Sequence, residues 1–248
     1  MPDAIFAHPR LARIYDPLDP DRRDLDAYAA MAAEFGARSV LDVGCGTGTF
    51  ARLLAGRGLS VTGVDPAGAS LEVARAKPGA GAVRWLHGDA TSLPPMQADL
   101  ATMTGNVAQV FVTEADWSAT LIATRAALRP GGRLLFETRD PAKRAWLGWT
   151  REQTRTRANV PGVGPVEKWE ELTGVAGQIV SVRSVFVFEA DGAVLTSEST
   201  LRFRERDEVE RSLSAAGYQL DEVRDAPDRP GLELVFIARR ASTASEPG

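Results

Sequence analysis

The run Val40-Leu41-Asp42-Val43-Gly44-Cys45-Gly46-Thr47-Gly48-Thr49-Phe50 places an acid near the end of an apolar strand, then alternating glycines, then the start of a helix. Gly44, Gly46 and Gly48 leave the turn bare, so a ligand can lie against the backbone while the helix points free N–H groups at it. The Asp42 carboxylate can accept hydrogen bonds from a cationic or amino-bearing group. This layout suits a nucleotide-like cofactor. Later strand-like runs also end in polar residues. One closes on Asp65 before Pro66, one on Gly88-Asp89-Ala90, and one opens into Thr104-Gly105-Asn106. Another, Leu128 to Glu137, passes through Pro130-Gly131-Gly132.

The spacing Asp-x-Gly-x-Gly-x-Gly departs from the dinucleotide fingerprint, because the position three after Gly46 is Thr49. It resembles instead the first motif of the class I S-adenosylmethionine-dependent methyltransferases, and the ordered downstream features extend that resemblance over residues 38–138. The resemblance implies S-adenosylmethionine as cofactor. Asp42, Gly44, Cys45, Gly46 and Gly48 would then hold its methionine end, Asp65 with Pro66 its ribose, and Asp89 with Ala90 its adenine. Thr104 and Asn106 would lie beside the transferable methyl. The Pro-Gly-Gly turn also fits this family and is foreign to the dehydrogenases, although both groups place an acid at Asp65. Tyr15-Asp16 resembles the tyrosine that closes over the cofactor from the N-terminal segment in related enzymes.

The elements that must position these residues alternate. Helices are expected near 48–57, 68–77 and 115–128, between short apolar strands, which implies an α/β fold with a doubly wound, mostly parallel sheet. In such sheets ligands sit beyond the carboxyl ends of the strands, where all the residues above fall. The resemblance implies a Rossmann-like sheet of seven strands. Residues 1–36 read as a helical segment, with Leu25, Tyr28, Ala29, Ala32 and Phe35 at helical spacing up to Gly36. Residues 37–140 read as the cofactor-binding core, and 141–204 as an antiparallel β insertion over the active site. Its hairpin is expected at Gln178–Glu189 and Ala193–Arg204, with Glu167–Gly174 as a third strand. Residues 205–240 return to the core with strands near 218–225 and 233–240, and 241–248 read as a disordered tail.

Composition narrows the function classes. The net charge of −4 gives no general attraction for nucleic acid or anionic membrane. Two histidines and one cysteine cannot assemble the usual zinc cluster, and Arg139-Asp140-Pro141 stands where catechol-type relatives carry a metal-binding Asp-Asn pair. No metal is expected. No apolar run approaches the ~18 residues of a membrane span, and a lone cysteine suits a cytoplasmic protein. Candidates for positioning or deprotonating a small-molecule acceptor are His8, Tyr15, Asn106, Gln109, Glu137 and Arg139. Glu137 and Arg139 alternate on one strand, so they form either an ion pair or a clamp for a substrate carboxylate. The expected activity is metal-independent methyl transfer to a small molecule, by a monomer or homodimer. Its alternatives are a cofactor-binding sensor or partner subunit without catalysis, an NAD(P)-dependent oxidoreductase, and an RNA methyltransferase using the arginine- and tryptophan-bearing stretch 143–157.

Overall fold

The computed structural model describes residues 1–241. Helices α1 (Ala4–Ala7), α2 (Pro9–Leu18) and α3 (Asp24–Glu34) precede β1 (Ser39–Val43), α4 (Thr49–Gly56), β2 (Ser60–Asp65), α5 (Gly68–Ala76), β3 (Val83–His87), β4 (Ala98–Met103), α6 (Glu114–Ala127) and β5 (Leu128–Arg139). A short α7 (Arg151–Thr154) leads into β6 (Thr156–Val160), β7 (Gly164–Ala176), β8 (Ile179–Phe188) and β9 (Ala193–Arg202). Then come α8 (Arg206–Ala215), β10 (Tyr218–Asp225) and β11 (Glu233–Arg240). The seven-stranded sheet runs β10-β11-β5-β4-β1-β2-β3, and β6-β7-β8-β9 form a second, antiparallel sheet. In the larger sheet only β11 is antiparallel to its neighbours. This is a Rossmann-like methyltransferase fold.

The strands are apolar on both faces because helices cover both. Val40, Leu100, Leu135 and Val235 point to the side packed by Leu25 and Tyr28 of α3 and by Phe50 and Leu54 of α4. The alternate residues Leu41, Ala101, Leu134 and Phe136 pack against Trp117 and Leu121 of α6 and Leu213 of α8. Sheet order reverses at β1, which has β4 on one side and β2 on the other, so a crevice opens beyond their carboxyl ends.

The hairpin, the third insertion strand and the two closing strands form within a few residues of the expected bounds, while β6 goes unanticipated. The Pro-Gly-Gly segment is a correction. It does not separate helix from strand as a free turn but lies inside β5, where Gly131 (φ 76°) forms an irregularity and the pairing with β4 shifts between Ala98 and Leu100. The expected tail falls, apart from Ala241, outside the described residues.

The second sheet packs Val160, Val166, Phe186 and Phe188 onto Leu11 and Ile14 of α2. The N-terminal helices therefore sit between core and insertion. The Ser70 hydroxyl of α5 donates to the Phe6 carbonyl at 2.9 Å, and the Ile5 N–H donates to Ser197 Oγ of β9 at 2.9 Å. The charged stretch before β6 has a structural account: Arg155 pairs with Glu167 at 2.7 Å, Arg157 with Glu189 at 2.6 Å, and Trp146 packs edge-on to Phe203 at 4.6 Å. Among the described residues no helix is long and apolar enough to cross a membrane.

Candidate functional site

The glycine turn after β1 has the geometry its sequence demands. Gly44, Gly46 and Gly48 have φ of 71°, 53° and 77°, in the left-handed region that other residues enter at a cost. They do different work. A Cβ on Gly48 would come within 2.4 Å of the Trp85 ring and 2.9 Å of Ala74, so its bareness lets helix and strand approach. A Cβ on Gly46 would meet nothing within 4 Å, so that face of the turn borders open space. Gly105, in the loop after β4, is equally open (φ 78°).

Asp65 anchors the turn. One carboxylate oxygen accepts the Gly46 N–H at 2.8 Å and the other accepts the Ala67 N–H at 2.8 Å. Each oxygen keeps lone-pair capacity for a further donor. Burial raises its pKa, against the pull of those two N–H groups. Asp42 lies opposite Thr102 in the β1–β4 register and accepts its hydroxyl at 2.9 Å. Burial, opposed by that bond and reinforced by the Asp65 charge, pushes its carboxyl up to about 7. Asp42 is thus tied into the sheet rather than standing free at the mouth of the turn. Cys45 is buried, with Sγ 2.9 Å from where a Gly63 Cβ would be.

Farther along the crevice, Asp89 is exposed and accepts the Thr91 N–H at 2.8 Å, capping a short turn in which Ala90 is buried. Pro66 is exposed, and its carbonyl lies 3.1 Å from His87 Nε2. Thr104 is half-buried at the end of β4.

Asp16 of α2 clasps the same turn from outside. It accepts the hydroxyls of Thr47 (2.7 Å) and Thr49 (3.1 Å) and pairs with Lys77 Nζ at 2.6 Å. Lys77 in turn donates to the Thr47 carbonyl at 2.7 Å. Sequence reasoning paired Asp16 with Tyr15 but assigned it no role, and Lys77 carried no local signal.

A second polar cluster forms where β4 and β5 end and β11 begins. Asn106 (φ 61°) donates its backbone N–H to Glu137 Oε1 at 2.7 Å and its amide Nδ2 to Glu233 Oε1 at 3.2 Å. Glu233 Oε1 also accepts from Arg229 Nη1 at 2.7 Å. Arg139 donates Nη1 to Gln109 Oε1 at 2.9 Å, and its guanidinium lies 5.6 Å from the Trp149 ring centroid. Tyr15 packs against Phe6 at 5.6 Å, and burial raises its pKa, with the Arg22 and Arg139 charges opposing.

Two of the expectations need correction. Glu137 and Arg139 form no ion pair with each other: Glu137 turns to the Asn106 loop, and Arg139 faces Glu233, with Nε 3.6 Å from its Oε1. His8 is exposed, and its ring nitrogen accepts the Arg10 N–H at 3.2 Å, capping α2 instead of facing the strand ends. Glu233 was missed. Its sole sequence signal is an acid opening an otherwise apolar strand, and apart from the neighbouring Arg229 its partners Asn106 and Arg139 lie 127 and 94 positions away (233 − 106 and 233 − 139).

Glu137 is buried with Oε2 unpartnered, and Asn106 Oδ1 is likewise buried and unpartnered. Two acceptors without a donor would each be costly. A proton on Glu137 turns Oε2 into a donor beside the residue whose N–H already holds Oε1. Consistently, burial raises the Glu137 carboxyl to about 7, with the Asn106 N–H opposing and the Glu233 charge adding.

Bare backbone, a two-handed carboxylate and an enclosing N-terminal clasp fit an adenosyl group with a cationic end. Among the described residues no group of three or more His, Cys, Asp or Glu side chains is arranged to hold a metal ion. Residues 40–132 match a family model described as a methyltransferase domain. The chain is 33% identical over 133 residues to malonyl-[acyl-carrier protein] O-methyltransferase of Serratia marcescens, covering 53% of this chain and 51% of that one. The chain thus spans about half the length of the curated relatives it matches. Its fold matches a S-adenosylmethionine-dependent methyltransferase from Clostridium acetobutylicum with a TM-score of 0.76 at 18% identity, covering 94% of this chain and 98% of that one. It also matches a sugar N-methyltransferase from Streptoalloteichus with a TM-score of 0.76 at 19% identity, covering 92% of each chain. Residues 40–132 thus resemble a methyltransferase domain in sequence, and nearly the whole length shares the fold of S-adenosylmethionine-dependent methyltransferases of known structure.

Proposed function

We propose that the chain transfers a methyl group from S-adenosylmethionine to a small-molecule acceptor, without a metal, in the cytoplasm and as a monomer or homodimer. The observation that carries this reading is the pairing of Asp65 with the open face of Gly46. The carboxylate that sets the turn keeps capacity to accept ribose hydroxyls, and the missing Cβ leaves room for the ligand. When bound, S-adenosylmethionine supplies an electrophilic methyl on a sulfonium. The protein's own residues orient the partners and exclude water. Gly44 to Gly48 and Asp65 hold the adenosyl and methionine parts, and Asp89 with Ala90 borders the purine. Asp16 and Lys77 keep the N-terminal helices closed over the turn. The Asn106–Gln109–Arg139 side of the crevice, roofed by Trp149, receives the acceptor. The curated relatives that share this half of the chain are named for malonyl-[acyl-carrier protein], for ubiquinone biosynthesis and for demethylmenaquinone, which supports an acceptor outside nucleic acid.

Calorimetric titration with S-adenosylhomocysteine and with NADH tests the cofactor. Heat from the first alone is expected; heat from NADH alone refutes the proposal. Incubating the protein with cell extract and trideuteromethyl-labelled cofactor tests catalysis. A labelled small molecule in the mass spectrum is expected, whereas binding without any labelled product would leave a cofactor sensor.

A further inference from the structure

We propose that the acceptor carries a carboxylate, and that this group docks on the Arg139 guanidinium beneath Trp149. The inference rests on the methyl-transfer reading and names the substrate class of the same site. Arg139 is the last residue of β5, at the edge of the crevice, and its side chain is 21% exposed, whereas that of Glu233 is 3% exposed. A guanidinium offers five N–H donors. Among the described residues this one makes a single hydrogen bond, to the neutral amide oxygen of Gln109. Its facing carboxylate, Glu233, stays 3.6 Å from Nε, beyond hydrogen-bond distance. That Glu233 oxygen already accepts from Arg229 and Asn106.

The other cations nearby are matched. Arg229 holds Glu233 at 2.7 Å, and Arg22 pairs with Asp24 at 3.2 Å. Glu137 is held by the Asn106 N–H at 2.7 Å and makes no pair with Arg139. Burial lowers the Arg139 pKa in spite of Glu233, whose carboxylate pairs with the guanidinium at 3.6 Å without a hydrogen bond. A half-enclosed fork of unused donors matches a planar carboxylate, which takes two parallel N–H bonds. The Trp149 ring on one side favours a flat body next to that carboxylate.

The test uses benzoate, benzamide and benzylamine, which share a shape and differ in charge. Each is titrated into the protein, with and without saturating S-adenosylhomocysteine, by saturation-transfer NMR. Benzoate should bind at least about tenfold more tightly than benzamide, and benzylamine more weakly than both. Arg139→Gln should abolish the benzoate preference while leaving S-adenosylhomocysteine affinity within about twofold. Equal binding of benzoate and benzamide by the native protein would overturn the proposal, and that comparison needs no variant to fold. So would a benzoate preference that survives Arg139→Gln. A large loss of S-adenosylhomocysteine affinity in that variant would also overturn it, by assigning Arg139 to the cofactor's own carboxylate. If S-adenosylhomocysteine does not bind the native protein at all, the methyl-transfer reading fails, and the titrations without it still judge Arg139.

Discussion

Replacing Glu137 by Gln should change how stability depends on pH more than it changes stability itself. In the folded chain the Glu137 carboxyl titrates near about 7, against 4.5 for an ordinary glutamate, because burial disfavours the anion. Between those values the folded state keeps a proton that the unfolded state has released. Stability from this group is therefore complete below 4.5 and is lost as pH rises through about 7. The difference of 7 − 4.5 = 2.5 pKa units corresponds to about 3 kcal/mol, and most of it falls between pH 5 and pH 8. Gln mimics the protonated acid. Its Oε1 can accept the Asn106 N–H, and its Nε2 places a donor where the Glu137 Oε2 acceptor has no partner. Urea unfolding of both proteins at pH 5 and pH 8 isolates the effect, because Asp42 and other groups titrate alike in each and cancel in the difference. Relative to native protein, Glu137→Gln should gain about 2–3 kcal/mol between the two pH values. A difference that stays flat would mean that Glu137 is ionised throughout, and the shared-proton account of Asn106 would be abandoned.

Other outcomes follow from the same geometry. Asp65→Ala should weaken S-adenosylhomocysteine binding by about 1.5–3 kcal/mol in calorimetry, the range for hydrogen bonds to a charged group; native affinity would misplace the ribose anchor. Gly46→Ala and Gly48→Ala should separate. The first, facing open space, should lose cofactor affinity at a strain cost of only about 1–2 kcal/mol in urea unfolding, whereas the second drives a methyl into Trp85 and should lose stability first. Comparable stability losses with equal affinity would refute that division. Binding of cationic S-adenosylmethionine at pH 7 should release up to about half a proton, because a cation near the Asp42 carboxyl favours its anion. Calorimetry in buffers of different ionisation heat would show this, and proton uptake would contradict it.

The glycine-turn side of the crevice was legible because its determinants are local. Strand, bare turn and helix N-terminus occupy eleven consecutive residues, and each later acid closes its own strand, so periodicity and glycine placement suffice to align them. Even there, Asp42 shows the limit. Its type and position were clear, but its partner, Thr102, comes from a strand sixty residues on and is revealed only by register. The β5 segment failed for a different reason, since Pro-Gly-Gly is a strong turn signal, yet tertiary pairing with β4 absorbs it as a bulge.

The polar cluster around Asn106, Arg139 and Glu233 was illegible because it is assembled by topology. Antiparallel β11 brings Glu233 beside Arg139 in the register, and the loop after β4 inserts Asn106 between Glu137 and Glu233. Trp149 reaches Arg139 only because the insertion folds back over the sheet. Local alternation suggested that Glu137 and Arg139 would act as a pair. The structure instead divides them, giving Glu137 to the loop and Arg139 to Gln109 and Glu233. Burial then sets their different chemistry: an acid with a carboxyl raised to about 7, and a cation with most of its donors unused, two positions apart in the sequence but opposite in role. On the proposed function, the cofactor would be read by contiguous backbone, and the acceptor by side chains that only the closed fold brings together. Exchanging residues on the acceptor side should therefore alter which molecule is methylated before it alters the affinity for S-adenosylhomocysteine.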